Sequence, residues 1–293
     1  MRFRLEGSDL ETHEEMISQK NVPQSVAGKP RRTLQTVERA VALLRCFTNE
    51  CPDLTIGDLI VRLGLSKPTV YRLLVTMEQL GFVERDSVSQ HYRPGLGVVS
   101  LASIALNNMT IRRLAMPAFY YFANRLHLGS AVAIMEGHEV FYLAHSPHPK
   151  VVDLVFQVGQ RHPLHATALG RALLSGLTSA RAEALLRETE LRSCTPYTIT
   201  DFKEVVREVC KSRDRGYALA DQELCLRWCS IAAPIRDRRS CVVAALGVSL
   251  PDSDIRSGTI EQIAKQVVEA ADRVSYKLGY PLAGSQEQWT ELG

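Results

Sequence analysis

TIGDLIVRLGLSKPTVYRLLVTMEQLG, residues Thr55 to Gly81, is the stretch whose reading decides the fold. Ile56, Leu59, Ile60 and Leu63 stand at i, i+3, i+4 and i+7, one face of an α-helix. After Gly64 and Leu65 the same spacing returns in Val70, Leu73, Leu74, Met77 and Leu80. At about 100° per residue this leaves Pro68, Tyr71, Arg72, Val75 and Gln79 facing outward. Thr55 with Asp58 predicts a capping box, Ser66 a cap for the second helix, and Gly81 its stop; Pro68 fits a first turn. Two short amphipathic helices joined by a tight turn make a helix-turn-helix, whose second helix fits the major groove of DNA.

Upstream, Val37, Ala40, Val41, Leu44 and Phe47 predict a supporting helix over Thr36 to Thr48. Residues 1–29 show no sustained period and read as a flexible leader. Arg31 and Arg32 close it, either as a basic arm for phosphates or a minor groove or as an ordinary solvated pair. Downstream, FVERDSVSQHYRPG predicts a two-stranded wing carrying Arg85, His91 and Arg93, suited to backbone contacts that fix register. The winged helix-turn-helix thus spans residues 30–95. The apolar VVSLASIAL that follows predicts a linker helix over 96–112 and a surface for self-association. A two-fold dimer would set two recognition helices about one turn of DNA apart, or a multiple of it.

The chain's 293 residues suffice for two domains. A net charge of +3 is too small to argue for nucleic acid in bulk, and between Arg31 and Arg93 nine basic residues face seven acids. DNA affinity therefore has to come from placement. No apolar run reaches the roughly 18 residues of a membrane helix, so the expectation is a cytoplasmic protein without a membrane partner. Seven scattered cysteines without a C-x-x-C pair predict reduced thiols, no metal and no cofactor. Nor is there a nucleophile elbow or phosphate-binding glycine loop, which argues against an enzyme.

Residues 113–280 alternate helices and strands. AVAIMEGHEVFYLAHS predicts a hairpin turning at Gly137 and His138, VVDLVFQVG a strand, and HATALGRALLSGL, SARAEALLRET and DFKEVVREVCKSRDRG helices. Strands at 217–220, 229–234 and 242–250 precede a last helix from Thr259, and residues 281–293 form a tail. Hairpins with helices packed on the sheet make an α+β domain.

From Arg32 to Tyr280 the chain resembles the IclR family of bacterial transcription regulators. The resemblance rests on LQTVERAVALLRCF, LSKPTVYRLLVTMEQLGFVERD, PLHATALGRALL, TPYTIT, RGYALADQEL and SIAAPIRDRRSCVVAALGVSLP in this order. It implies a carboxy-terminal effector-binding domain of GAF-like α/β fold, assembly as homodimers or homotetramers, and promoter DNA as partner. TPYTIT and ADQEL…SIAAPIRDRR are most similar to the branch sensing protocatechuate, 4-hydroxybenzoate and related aromatic-catabolism acids. The implied effector pocket falls on Val151 and Leu154, on Thr167, Ala168 and Leu169, and on Asp221, Trp228, Ser230, Gly247 and Ser249. Where the family usually has glycine before the SIA segment, this chain has Leu226, Arg227, Trp228 and Cys229; its common Gly-Lys is here Gly170-Arg171.

The residues add their own argument. A helix opening near His165 and Thr167 offers free N–H groups to a carboxylate, and Arg161 or Arg227 could add a bidentate contact. Each has a plainer reading: Thr167 as a helix cap, Asp221 in a turn, Ser249 as a strand residue, His165 as a structural histidine. On the recognition helix Ser66, Lys67, Thr69, Tyr71 and Arg72 lie at the amino end, where base edges are met. Arg72 could read guanine or stand unpartnered in solvent, and Tyr71 could touch DNA or cover the core edge. The function expected is a ligand-responsive, sequence-specific regulator of genes that break down a small organic acid. A ligand-independent architectural DNA binder is the alternative, with an enzyme acting on a small acid behind it.

Overall fold

The computed structural model describes residues 34–150, 157–255 and 258–281. They form two compact units that divide between Ser100 and Leu101.

The first unit contains α1 (Gln35–Leu44), α2 (Ile56–Leu63), α3 (Lys67–Gln79), β1 (Val83–Arg85) and β2 (Tyr92–Pro94). Thr55 opens α2 with the full capping box: its hydroxyl accepts from the Asp58 amide, and the Asp58 carboxylate accepts from the Thr55 amide at 2.9 Å. Gly64 closes the helix at φ 62°, left-handed backbone that a side chain would resist. Ser66 is the first flanking residue of α3, but its hydroxyl bonds Thr69 Oγ1 at 2.9 Å and makes no cap bond. Leu59, Val70, Leu73, Leu74 and Met77 meet Leu43, Leu54, Val83 and Tyr92 in one core. Leu54 adds an isolated antiparallel bridge to the wing, exchanging both backbone hydrogen bonds with Tyr92.

Two expectations about faces fail here. Leu80 follows the end of α3 and is 62% exposed, because the helix has already turned its stripe out of register with the core. On α1, Leu43 is the fully buried residue, whereas Val37 and Val41 are exposed; the apolar stripe is wider than the face this unit covers.

α4 (Leu96–Asn108) carries the chain across the division and buries no residue. The second unit continues with α5 (Thr110–Tyr120), which runs into a π-helical turn at Tyr121–Arg125. Then come β3 (Gly129–Glu136), β4 (Glu139–Ser146), β5 (Arg161–Pro163), α6 (Ala168–Leu174), α7 (Ser179–Arg187) and α8 (Phe202–Arg215). β6 (Ala218–Asp221), β7 (Trp228–Arg236), β8 (Val242–Pro251) and α9 (Thr259–Lys277) complete it. The strands form one antiparallel sheet in the order β5-β4-β3-β8-β7-β6. Alternation splits it into two faces, reset on β4 by a bulge opposite Val132 and Ala133. Cys229, Ile231, Ala233 and Ile235 of β7 face α5 and α9 with Phe119, Phe122, Val267 and Val274. Ala232, Ala245, Ala131 and Tyr142 face α6, α7 and α8 with Leu169, Leu173, Val205 and Val209. The result is a three-layer, GAF-like α+β domain with an open sheet.

The expected strand VVDLVFQVG lies mostly outside the described residues; its end, 157–159, is a turn, and the edge strand next to β4 is β5, which the sequence did not announce.

Candidate functional site

α3 presents the candidate DNA interface. Its buried stripe holds it against the core, so Lys67, Tyr71 and Arg72 stand exposed near its amino end, while Thr69 is half-buried beside Ser66. Arg72 makes no ion pair among the described residues, as an arginine reserved for a partner would require. The wing is less free than its sequence implies. Arg93 is bonded to Glu84 across the β1–β2 ladder, His91 lies 3.7 Å from Asp53, and the Arg85 guanidinium sits 5.4 Å from the centre of the Tyr92 ring. Arg31 and Arg32 lie outside the described residues.

In the second unit, a cavity of about 430 Å³ opens between the sheet and α6. Its floor is β3, β7 and β8, where Gly129, Ser230, Gly247 and Ser249 come together; Thr167, Ala168 and Leu169 cover it, and Trp228 closes one side. Small residues make the room. A Cβ on Gly129 would lie 2.2 Å from Ser249 Oγ, so the bare glycine is what lets that hydroxyl stand there.

Three expected residues are elsewhere. Asp221 ends β6 on the exposed surface. Arg161 pairs with Glu136 at 2.8 Å and lies over Phe141. His165 is fully buried: its Nε2 donates to the Arg192 carbonyl at 3.1 Å, and burial holds the ring below its ordinary range. Val151 and Leu154 lie outside the described residues. At the helix opening expected to offer free N–H groups, Thr167 takes one of them: its Oγ1 accepts from the Gly170 amide and donates to the Pro163 carbonyl. α6 is also only seven residues long.

Other lining residues escaped the sequence reading: Tyr142, His145, His148, Lys150, Glu223 and Cys225. The one signal for the middle three was the run HSPHPK, two histidines and a lysine within six residues behind a strand.

Glu223 shows how the wall is built. Buried Arg171 of α6 grips both of its carboxylate oxygens, one at 2.6 Å, and also donates to the Leu219 carbonyl at 2.9 Å. Thr195 and Thr198 donate to the Gln222 and Glu223 carbonyls at 2.7 and 2.6 Å, and the Ile199 amide donates to the Glu223 carboxylate. TPYTIT is therefore the clamp on the loop 222–227, whose ends, Gln222 and Arg227, take positive φ. Arginine at position 171 suits the task because its planar fork meets a carboxylate with two bonds.

A winged helix-turn-helix and a small-molecule cavity in one chain describe a particular kind of protein. The model of the bacterial transcriptional regulator IclR C-terminal domain matches residues 103–276, and that of the IclR helix-turn-helix domain matches 36–87. The chain belongs to the IclR family. KipR, an HTH-type transcriptional regulator of Bacillus subtilis, is 29% identical over 246 residues, 84% of this chain and 98% of KipR. XynR of Escherichia coli is 28% identical over 248 residues, covering 85% of this chain and 98% of XynR. An IclR homologue from Microbacterium hydrocarbonoxydans, solved with 4-hydroxybenzoate, superposes with a TM-score of 0.73 at 26% identity over 83% of this chain and 98% of its own. An IclR chain is a regulator with a helix-turn-helix domain and an effector-binding domain, and its curated relatives are regulators, not enzymes. No helix among the described residues is long and apolar enough to cross a membrane.

Proposed function

We propose that this chain switches catabolic genes for an aromatic or other small organic acid by binding that acid in the cavity under α6. The carrying observation is the cavity itself: about 430 Å³, with hydroxyls on its floor, in the same polypeptide as a recognition helix with a free arginine. That volume suits a compact ligand. An architectural DNA binder has no use for such a space. The 4-hydroxybenzoate held by the Microbacterium homologue supports an aromatic acid here.

Residues 30–95 form the DNA-binding region in this reading, with Ser66, Lys67, Thr69, Tyr71 and Arg72 at the bases and His91, Arg93, Arg31 and Arg32 on the backbone. Residues 96–112 link it to the effector-binding region, 113–280. The protein works in the cytoplasm as a homodimer or homotetramer. Val37 and Val41 on α1 are exposed, and α4 is apolar yet buries nothing, as faces covered by a second copy would be. The ligand acts through differential affinity for two arrangements of the assembly.

Fluorescence anisotropy with promoter fragments flanking its own gene tests this. The expected result is salt-sensitive, sequence-preferring binding that changes severalfold with one acid from a panel of benzoates and short aliphatic acids. Binding indifferent to sequence would remove the regulator; binding indifferent to every acid would remove the effector class.

A further inference from the structure

His148 follows β4, is 6% exposed, and is one of the residues that line the cavity. Its Nδ1 accepts from the Lys150 backbone amide at 3.1 Å. Burial keeps the imidazole below its ordinary range despite the nearby Asp254 carboxylate, so at neutral pH the ring is neutral. With Nδ1 accepting, the single proton is on Nε2, which makes that nitrogen a donor. Nε2 has no hydrogen-bond partner among the described residues, so its proton is free for an acceptor that enters the cavity.

The surroundings supply a place for that acceptor. Ser230 and Ser249 are direct register partners, so their side chains share one face of the sheet, and neither hydroxyl is hydrogen-bonded to a described residue. Gly129 lies between Ser249 and the His148 backbone: a Cβ there would sit 2.2 Å from Ser249 Oγ and 3.4 Å from the His148 backbone nitrogen. Trp228 meets the His148 ring edge-on, with centroids 5.4 Å apart at 61°, which fixes the imidazole and offers an indole beside it. The Asp254 carboxylate near His148 is neutralised by Lys150 Nζ at 2.9 Å. Glu223 is the one acid among the described residues that line the cavity, and Arg171 holds both of its oxygens.

We propose that His148 is a specificity-determining residue of the cavity: with Ser230 and Ser249 it takes the carboxylate of the ligand, whose planar body lies against Trp228. The inference rests on the effector reading above and assigns the residue that reads the ligand's charged end. Three donors converging on one group favour an oxyanion over a neutral carbonyl, because hydrogen bonds to a charged acceptor are about twice as strong.

The test is calorimetry on the full chain with benzoate, 4-hydroxybenzoate, phenylacetate, pyruvate and succinate, followed by the amide of whichever acid binds. Wild type is expected to bind an aromatic acid at least tenfold more tightly than its amide. His148→Phe, which keeps a ring against Trp228, is expected to lose roughly tenfold or more for the acid with little change for the amide; His148→Gln, which restores a donor, is expected to recover part of the loss. In imidazole-15N-labelled protein the His148 Nε2–H signal is expected to shift on saturation with the acid. Equal affinity of wild type and His148→Phe for the acid, with the 15N signal unmoved, overturns the inference and leaves the effector reading standing. Loss of acid and amide together in both variants makes His148 structural and also overturns it. A wild type that binds none of the five acids overturns both.

Discussion

Arg171 and Glu223 are the most heavily buried ion pair of the described residues, with side chains 1% and 6% exposed. Removing one partner leaves the other charged and dry. Arg171→Met is expected to destabilise the second unit by about 3–5 kcal/mol, whereas Arg171→Met with Glu223→Leu is expected to cost less than the single change. Urea denaturation followed by circular dichroism checks the order of the three proteins. Arg72 is the opposite case, an arginine with nothing to hold. Its replacement by alanine should cost about 1–3 kcal/mol on the operator and relax the preference at one base pair, read by anisotropy on single-base-pair variants; an equal loss on every sequence would make Arg72 a phosphate contact. Individual site residues were half legible from sequence. Thr167, Trp228, Ser230 and Ser249 reach the cavity because strand alternation and a helix start fix where they point. Asp221 and His165 do not, because one residue's slip along a strand reverses its face and a buried histidine looks the same in a sequence whether it meets a ligand or a carbonyl.

Helices and strands were more legible than their faces. The capping box at Thr55 and Asp58, the left-handed Gly64 and the hairpin at Gly137 are local devices, complete within a few residues, and each is where the sequence puts it. Thr55→Ala is expected to lower stability by about 0.5–2 kcal/mol, measured as a shift in the urea midpoint of the first unit. β5 escaped notice because three residues carry too little periodicity, and its existence depends on pairing with β4. The Val37 and Val41 stripe was a correct reading of helix, but the first unit leaves that face exposed, which is the face the proposed second copy would cover. Leu101→Glu with Ile104→Glu on α4 is expected to shift the assembly toward monomer at micromolar concentration with helical content intact, as measured by sedimentation velocity. An unchanged sedimentation coefficient would show that α4 is not the contact.

For the molecule as a whole, acid should weaken the second unit before it touches the first. His162 on β5 is largely buried, and desolvation pushes its ring down to about 4, with Arg192 and His145 adding to the effect. A histidine whose folded pKa lies below its unfolded value of 6.5 favours folding fully above pH 6.5, and that contribution is lost as the pH falls toward 4. The loss amounts to about 3 kcal/mol at most. Wild type and His162→Gln should therefore converge in urea midpoint across that window, with the wild type falling faster.

The strand order sets a schedule as well as a shape. β3 pairs with β4, its neighbour in sequence, and with β8, which begins at Val242. At a synthesis rate of about 5–20 residues per second, β3 waits roughly 5–20 seconds on the ribosome before the strand carrying Gly247 and Ser249 emerges. Through that interval the half-sheet shows an unpaired edge and an uncovered apolar face. The helix-turn-helix, whose core residues end at Tyr92, has its whole core available by then. The first unit is therefore complete in sequence well before the cavity is, and the interval between the two is the time in which chaperones would have to shield the growing sheet.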